Sequence, residues 1–411
     1  MQLIENEYFI QGLKVTDIVD EFDAPVFVYD ADKIVSQYAA LKGAFSGLNI
    51  RIKYAVKALS NPAILKLLRK EGAGLDVVSL NEGKLGLEAG YAPREILFTP
   101  NSVGFDEIRE GVEMGFGVNI DNLEILRQFG ETFGNSRPCS IRLNPHILAG
   151  GNSKISTGHI DSKFGISIYQ LPQVLNVVNK YGMNIHGLHM HTGSDILEAE
   201  VFLKMAEILF GVARDFKDLK FIDFGSGFKV AYKQGDITTN VFDLGVKLTE
   251  AFKKFCVEYG RDLEVWFEPG KFLVSEAGVF LVKVNVVKNT PARLFAGVNS
   301  GLNHLIRPMM YDAYHDIFNV SNPGGDHHVY SVVGYICETD TFGWDRKLTE
   351  VRPGDILAIK NAGAYGISMA SNYNSRTRPT EVLVYKGTAH MIRRPETFED
   401  IKRNFVDFDI E

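Results

Sequence analysis

Between residues 50 and 270, eight short apolar runs recur, and most are followed by a segment with helical periodicity. The runs are 50–56, 74–79, 96–100, 117–121, 140–144, 185–191, 221–225 and 264–270. Segments such as 62–70, 82–89, 106–114, 123–133 and 199–216 carry the helical spacing between them. Eight strand–helix units over about 220 residues predict a closed (β/α)8 TIM barrel more than an open sheet. In such a barrel the site is built from the C-terminal ends of the strands. Each run here ends in chemically capable residues: Lys57, Asp76 with Ser79, Asn101, Asp121, Arg142, His189 with His191, Asp223 with Gly225, and Glu268.

Past residue 271 the pattern changes. Segments 272–288, 328–337, 356–360 and 381–385 read as strands with little helix between them. Segment 8–15, turning at Gly12, has the same character and is assigned to the same β domain. The predicted division is a barrel over 30–271 and a mostly β domain made of 1–29 and 272–411. A chain of 411 residues is longer than one core usually supports, which agrees with two domains. The stretch 148–165, rich in Gly and Ser, is expected to be a mobile loop over the barrel mouth.

The net charge of −7, with no long block of one sign, argues against nucleic acid or an anionic membrane as the main partner. No stretch reaches the roughly 18 apolar residues of a membrane span. The opening MQLIENEYFIQG lacks the basic and apolar regions of a signal peptide. Cys139, Cys256 and Cys337 are odd in number and far apart, so a disulfide framework or a cysteine-based zinc site is not expected. A reducing cytosol fits this usage.

Lys57 lies in YAVKAL at the end of the first run. Partial desolvation at the mouth of a buried strand would lower its pKa and favour the nucleophilic amine that a Schiff base to an aldehyde cofactor requires. Taken alone, it reads equally as a lysine that ends a strand in water. Gly225, Ser226 and Gly227 follow the seventh run, where glycines let backbone N–H groups approach an anion. A plain tight turn is the alternative. His189 and His191 share one face of the sixth strand. An H-x-H pair suits zinc, yet no carboxylate cluster is evident at the strand ends to complete the ligand set. A stacking role for one histidine, with Ser194 donating to phosphate, fits better; a satisfied core histidine is the alternative. Glu268 opens EPGK at the end of strand eight, where a carboxylate pairs with a protonated ring nitrogen or forms an ordinary salt bridge. Lysine, phosphate cradle, histidine and glutamate together describe a pyridoxal 5'-phosphate (PLP) site.

The motifs YAVKAL, GLDVVSLNEG, HMHTGSDI, FGSGF, EPGKFLVSEAG, RPMMYDAYH, CETDTF and NAGAYGISMASNYNSR occur in this order along the chain. With them the sequence resembles the fold-type III PLP-dependent decarboxylases, most closely their diaminopimelate-decarboxylating branch. The resemblance implies an alanine-racemase-like barrel with a β domain, and conversion of meso-diaminopimelate to L-lysine and CO2. It implies that Lys57 carries PLP, that His191 stacks on the ring and that Glu268 faces its nitrogen. Ser194, Gly225, Ser226, Gly227, Gly270 and Tyr365 would hold the cofactor, mainly at its phosphate. Asp76, Asn101 and Arg142 would line the pocket around the ring. Family members are usually homodimers, so Cys337, as proton donor, and Glu338, reading the distal ammonium, would come from the other subunit. Arg307 and Tyr311 would bind substrate carboxylate, with Lys271 and Tyr365 also on the substrate side.

Three positions depart from the family pattern. Lys271 stands where arginine is common, keeping the charge but losing the bidentate fork. Ser226 replaces the middle of three glycines, and HTGSD stands where HIGSQ is common. The rival readings are a decarboxylase of ornithine, arginine or a carboxylated polyamine, a non-catalytic PLP carrier, and a metal-dependent hydrolase using His189 and His191.

Overall fold

The computed structural model describes residues 1–147, 158 and 161–410. The expected loop over 148–165 lies largely outside the described residues. The chain divides into two compact units, one of Met1–Ile34, Ala231–Asp236 and Val274–Glu411, the other of Val35–Val230 and Ile237–Leu273.

The second unit is a closed barrel. Its eight parallel strands are Ile50–Ala55, Gly74–Val77, Ile96–Phe98, Gly117–Ile120, Cys139–Asn144, Ile185–Met190, Phe221–Asp223 and Glu264–Phe267. Each pairs with the next in sequence, and the eighth pairs with the first through Val265 and Ile50, closing the ring. Parallel strands in a barrel are covered on both faces, which is why they read as continuous apolar runs rather than alternating ones. All six residues of Cys139–Asn144 are buried.

The strands stop earlier than the apolar runs suggest, because their last polar residues serve the connections. Ser79 caps helix Leu80–Glu88, accepting from the Glu82 N–H at 3.2 Å, while the Glu82 carboxylate accepts from the Val78 N–H at 2.8 Å. Asn61 and Asn122 cap Pro62–Glu71 and Leu123–Phe133 in the same way. Each cap satisfies helix-end N–H groups that would otherwise be left open.

At the other end of the barrel, the Phe221 and Trp266 rings stack with centroids 3.5 Å apart. Lys53, inside the first apolar run, is buried there. Its ammonium lies 4.6 Å from the Trp266 ring centroid and donates to the Glu95 carbonyl at 2.9 Å. Burial pulls its pKa down to about 8.

The first unit is mostly β. Its large sheet runs Thr341–Thr349, His327–Val333, Leu294–Val298, Gly278–Asn289, Val26–Asp30, Thr380–Tyr385 and Thr388–Arg393, with Ile356–Lys360 also paired to Gly278–Asn289 and to Ile317–Asn319. The N-terminal segment differs in detail from the sequence reading. Glu7–Ile10 and Leu13–Lys14 form a hairpin in a separate three-stranded sheet, and Val15 opens a helix, Val15–Phe22. The N-terminal strand in the main sheet is Val26–Asp30. Ile10, Val15 and Ile18 share one buried cluster with Val26, Val28, Val279, Leu281 and Val382, so the hairpin and helix cover one face of this sheet.

Gly187 in the sixth barrel strand has no room for a side chain. A Cβ there would lie 2.1 Å from Phe221 Cζ, and that ring is held by its stack on Trp266. Gly187→Ala is expected to destabilise the barrel by about 1–3 kcal/mol, the usual cost of overpacking, read as a lower urea midpoint. An unchanged midpoint would show that the stack yields freely.

Candidate active site

The barrel mouth is organised around Glu268. His189 Nε2 lies 2.9 Å from Glu268 Oε2, with both side chains buried. Burial raises the pKa of Glu268, but the His189 interaction, His191 and Lys57 outweigh it and hold the carboxyl below its ordinary range. His189 is itself shifted down, chiefly by burial. The consistent arrangement is an ionised Glu268 and a neutral His189. An ionised carboxylate only accepts, so the His189 proton is assigned to Nε2. The second oxygen, Glu268 Oε1, is buried with no hydrogen-bond partner among the described residues.

Two further carboxyls flank this pair. Asp76 and Asp223 are buried, and both are pushed well above the ordinary carboxylate range, first by burial and then by the Glu268 charge. Asp223 Oδ1 accepts from the Gly225 N–H at 2.8 Å. One ionised carboxylate therefore suppresses ionisation of its neighbours. His189, Asp223 and Glu268 place one ligand atom each within 4.8 Å of one another. This corrects the expectation that no carboxylate cluster stands at the strand ends. One atom of each is engaged, His189 Nε2 with Glu268 Oε2 and Asp223 Oδ1 with the Gly225 N–H, while His189 Nδ1, Asp223 Oδ2 and Glu268 Oε1 have no hydrogen-bond partner among the described residues.

Arg142 supplies the balancing cation. It is buried, its guanidinium sits 4.7 Å from the Phe164 ring, and the Glu268, Asp121, Asp76 and Asp223 charges act against the lowering of its pKa by burial. The Asn101 amide donates to Asp121 and, at 3.3 Å, to the Lys163 carbonyl.

Lys57 lies in a one-turn 3-10 helix, Val56–Ala58, just past the first strand. It is exposed, so the expected desolvation is not what the described residues provide. Its charge instead acts on Asp76, Glu82, Glu268, His189 and His191, which places it over the mouth. Gly270 underlies this turn. A Cβ there would meet Ala58 Cβ at 3.0 Å and Ala55 Cβ at 3.3 Å, so the missing side chain lets strand eight pack beneath Lys57.

The loops after strands six and seven are zipped together. The Ile196 N–H donates to the Gly227 carbonyl at 2.8 Å, and the Ser226 N–H donates to His191 Nδ1 at 3.3 Å. Gly225 at φ +61° and Gly227 at φ +134° have left-handed backbones, and a Cβ on Gly225 would strike His191. His191 is held well below its ordinary pKa by burial and by Arg142 and Lys57, so its ring is neutral. With the Gly225 and Ser226 N–H groups engaged, the Gly227 N–H and the Ser194 and Ser226 hydroxyls are the candidate anion donors of these loops among the described residues. Lys271 Nζ pairs with Asp195 Oδ1 at 2.5 Å. Two departures from the family pattern, Lys271 and the Asp of HTGSD, are thus partners.

These features fit PLP. Glu268 Oε1 is an orphaned acceptor suited to a ring N–H, His191 offers a neutral ring face, and the glycine loop packs so closely on His191 and Ile196 that neither Gly225 nor Gly227 has room for a Cβ.

The β unit carries the remaining residues in two groups. Arg307 is buried in the short helix Arg307–Tyr311, and its guanidinium lies 5.4, 6.0 and 5.8 Å from the rings of Tyr232, Tyr311 and Tyr365. Cys337 and Glu338 form the second group and are exposed. Asn374 Nδ2 donates to Cys337 Sγ at 3.1 Å, and the Tyr373 hydroxyl donates to Glu338 at 2.8 Å. Sequence reasoning missed Tyr232 and Asp195, and it treated His189 as secondary to His191. The period-two pairing of the two histidines was the available signal for His189. Tyr232 had none, because its partners are distant in sequence.

The family described as "Pyridoxal-dependent decarboxylase, pyridoxal binding domain" matches residues 31–275. Diaminopimelate decarboxylase of Methanothermobacter thermautotrophicus is 37% identical over 404 residues, covering 96% of this chain and 94% of that protein. The crystal structure of diaminopimelate decarboxylase from Helicobacter pylori complexed with L-lysine matches with a TM-score of 0.87 at 32% identity, over 94% of this chain and 98% of that one. The crystal structure of diaminopimelate decarboxylase from M. jannaschii matches with a TM-score of 0.90 at 30% identity, over 99% and 97% of the two chains.

Two buried histidines of the β unit give a pH test. Burial lowers His304 to about 4 and His315 to about 3. In the unfolded chain both return to about 6.5. Below that pH the unfolded state binds protons that the folded state refuses, so stability falls as pH drops through 6.5 and continues to fall toward the folded values. Going from pH 7 to pH 5 is expected to cost roughly 2 kcal/mol per histidine. Urea midpoints at the two pH values check this, and His315→Asn should flatten the slope. The same slope in the variant would contradict it.

Proposed function

The chain belongs to the pyridoxal-dependent decarboxylases, within their diaminopimelate decarboxylase branch, and from that premise we propose how its residues perform the reaction. The reaction is PLP-dependent decarboxylation of meso-2,6-diaminopimelate to L-lysine and CO2. The observation that carries the site assignment is the buried Glu268 carboxylate, ionised on the His189 side and open at Oε1. When bound, PLP supplies an electron sink for the pair left behind as carbon dioxide departs.

Lys57 would hold the cofactor through its amine. Glu268 keeps the ring nitrogen protonated, and the raised pKa values of Asp76 and Asp223 spare it competing negative charge. His191 presents a neutral ring face. Ser194, Ser226, Gly227 and Tyr365 would hold the phosphate, with Gly225 shaping the loop beside it and Gly270 the turn that carries Lys57. Asp76, Asn101 and Arg142 wall the pocket. Cys337 returns the proton after loss of CO2, its sulfur aimed by Asn374. Glu338 takes the distal ammonium, Arg307 and Tyr311 the carboxylate that is retained, and Lys271 adds a positive charge tempered by Asp195.

A homodimer in which Cys337 and Glu338 serve the partner's site belongs to the same proposal, supported by their exposure and by family resemblance. A cytosolic location is proposed from the cysteine usage. Among the described residues, no helix is long and apolar enough to cross a membrane.

Mass spectrometry of protein incubated with PLP and meso-diaminopimelate should detect L-lysine, and Lys57→Ala should abolish it. Glu268→Gln should lower kcat by roughly two orders of magnitude, the scale on which a charge partner acts on a developing charge. Failure to form lysine despite borohydride trapping of PLP on Lys57 would move the substrate to another amino acid. Lysine formation by Lys57→Ala would remove that residue from its role.

A further inference from the structure

Arg307 is an unusual residue to find at 9% exposure in a mostly β unit. Among the described residues it forms no ion pair, and its Nε has no hydrogen-bond partner. Phenol rings surround it instead. Ring faces stabilise a guanidinium, but they leave its in-plane donors open for an anion. A buried guanidinium of this kind is completed by a ligand carboxylate. That much follows from the substrate role proposed for Arg307, and the inference below rests on that reading.

One in-plane donor is already committed. Arg307 Nη2 donates to the Tyr232 hydroxyl at 3.1 Å. Tyr232 is in turn fixed from several sides. The Ser275 hydroxyl lies 3.3 Å from the Tyr232 oxygen and 3.3 Å from the Asn361 carbonyl. The Asn361 side chain donates to the carbonyl of Ala231, the residue just before Tyr232, at 2.5 Å. The Tyr232 N–H donates to Asp236 at 3.2 Å. The His315 ring meets the Tyr232 ring edge-on, at 5.6 Å and 86°, and is itself fixed by donation from Nδ1 to the Lys360 carbonyl at 2.8 Å. Ser275, His315 and Asn361 are all buried.

We infer that Tyr232 is a positioning residue for Arg307, and through it a specificity determinant for substrates that keep a carboxylate at the end that does not react. The tyrosine hydroxyl fixes the rotation of the guanidinium plane, so the remaining donors point in one direction. A flexible arginine would lose this alignment and bind the carboxylate less tightly, while the amine contacts elsewhere would be unaffected. The segment 231–236 thus does more than connect: it carries a residue from the chain between two barrel elements into the β unit, where Arg307 sits.

The test uses two ligands of the PLP-loaded enzyme. L-lysine keeps the carboxylate of the non-reacting end, since the other has left as CO2. Cadaverine is lysine without that carboxylate. Tyr232→Phe removes the hydroxyl and keeps the ring, so the packing on His315 survives. It is expected to weaken L-lysine binding about tenfold, the scale of one charge-assisted hydrogen bond, and to leave cadaverine within about twofold. KM for meso-diaminopimelate should rise by a similar factor with kcat nearly unchanged. Arg307→Lys, measured alongside, should weaken L-lysine at least as much. If Arg307→Lys weakens L-lysine and Tyr232→Phe does not, the positioning role is wrong and the reading of Arg307 stands. Equal weakening of both ligands by Tyr232→Phe would mean a general structural role and would also overturn the inference. Unchanged L-lysine binding in both variants removes Arg307 from the carboxylate, and Tyr232 with it.

Discussion

The hydrogen bond between His189 and Glu268 is the contact on which the barrel mouth depends. It joins strands six and eight, lies almost wholly out of water, and settles which of three buried carboxyls carries charge. Burial raises Glu268 as it raises Asp76 and Asp223, and the His189 interaction is the largest of the effects that oppose it. The ionisation of Glu268 acts on the titration of every buried group beside it. Asp76 and Asp223 are raised first by burial and then by this anion, Arg142 is supported by it, and His191 is kept neutral by burial and by Arg142 and Lys57.

The fold serves that contact in a simple way. A parallel barrel presents the ends of all its strands at one mouth, so residues as distant in sequence as His189 and Glu268 meet without long loops. The connections hold the rest in register. The Glu268 N–H donates to the Gly225 carbonyl at 2.6 Å, and the Ala55 N–H donates to the Pro269 carbonyl at 3.3 Å. The glutamate is thereby locked to the glycine loop on one side and to the Lys57 turn on the other. The β unit follows the same logic with different parts, fixing a cation by phenols rather than an anion by an imidazole.

Much of this was legible in the sequence because parallel barrel strands are buried on both faces and read as unbroken apolar runs. All eight were recognisable, and so was the polar residue beyond each. Their ends were not, because Ser79 and Asn122 look like strand-end polar groups until their capping bonds are seen. Val26–Asp30 escaped notice as a short run wedged before a helix. The pairing of Lys271 with Asp195 could not be read, since ion pairs leave no periodicity in a sequence. Lys57 reads in the sequence as a desolvated strand-end lysine; in the structure it is exposed, and its charge acts on Asp76, Glu82 and Glu268.

Isotope-edited infrared spectroscopy of the PLP-loaded enzyme at neutral pH, comparing the native protein with Glu268→Gln, tests the electrostatic state of the mouth most directly. Loss of an ionised carboxylate band in the variant, with the protonated carboxyl bands of Asp76 and Asp223 retained, is the predicted result. Loss of a protonated carboxyl band instead would contradict it, since Glu268 would then be neutral and the charge would lie on one of its neighbours.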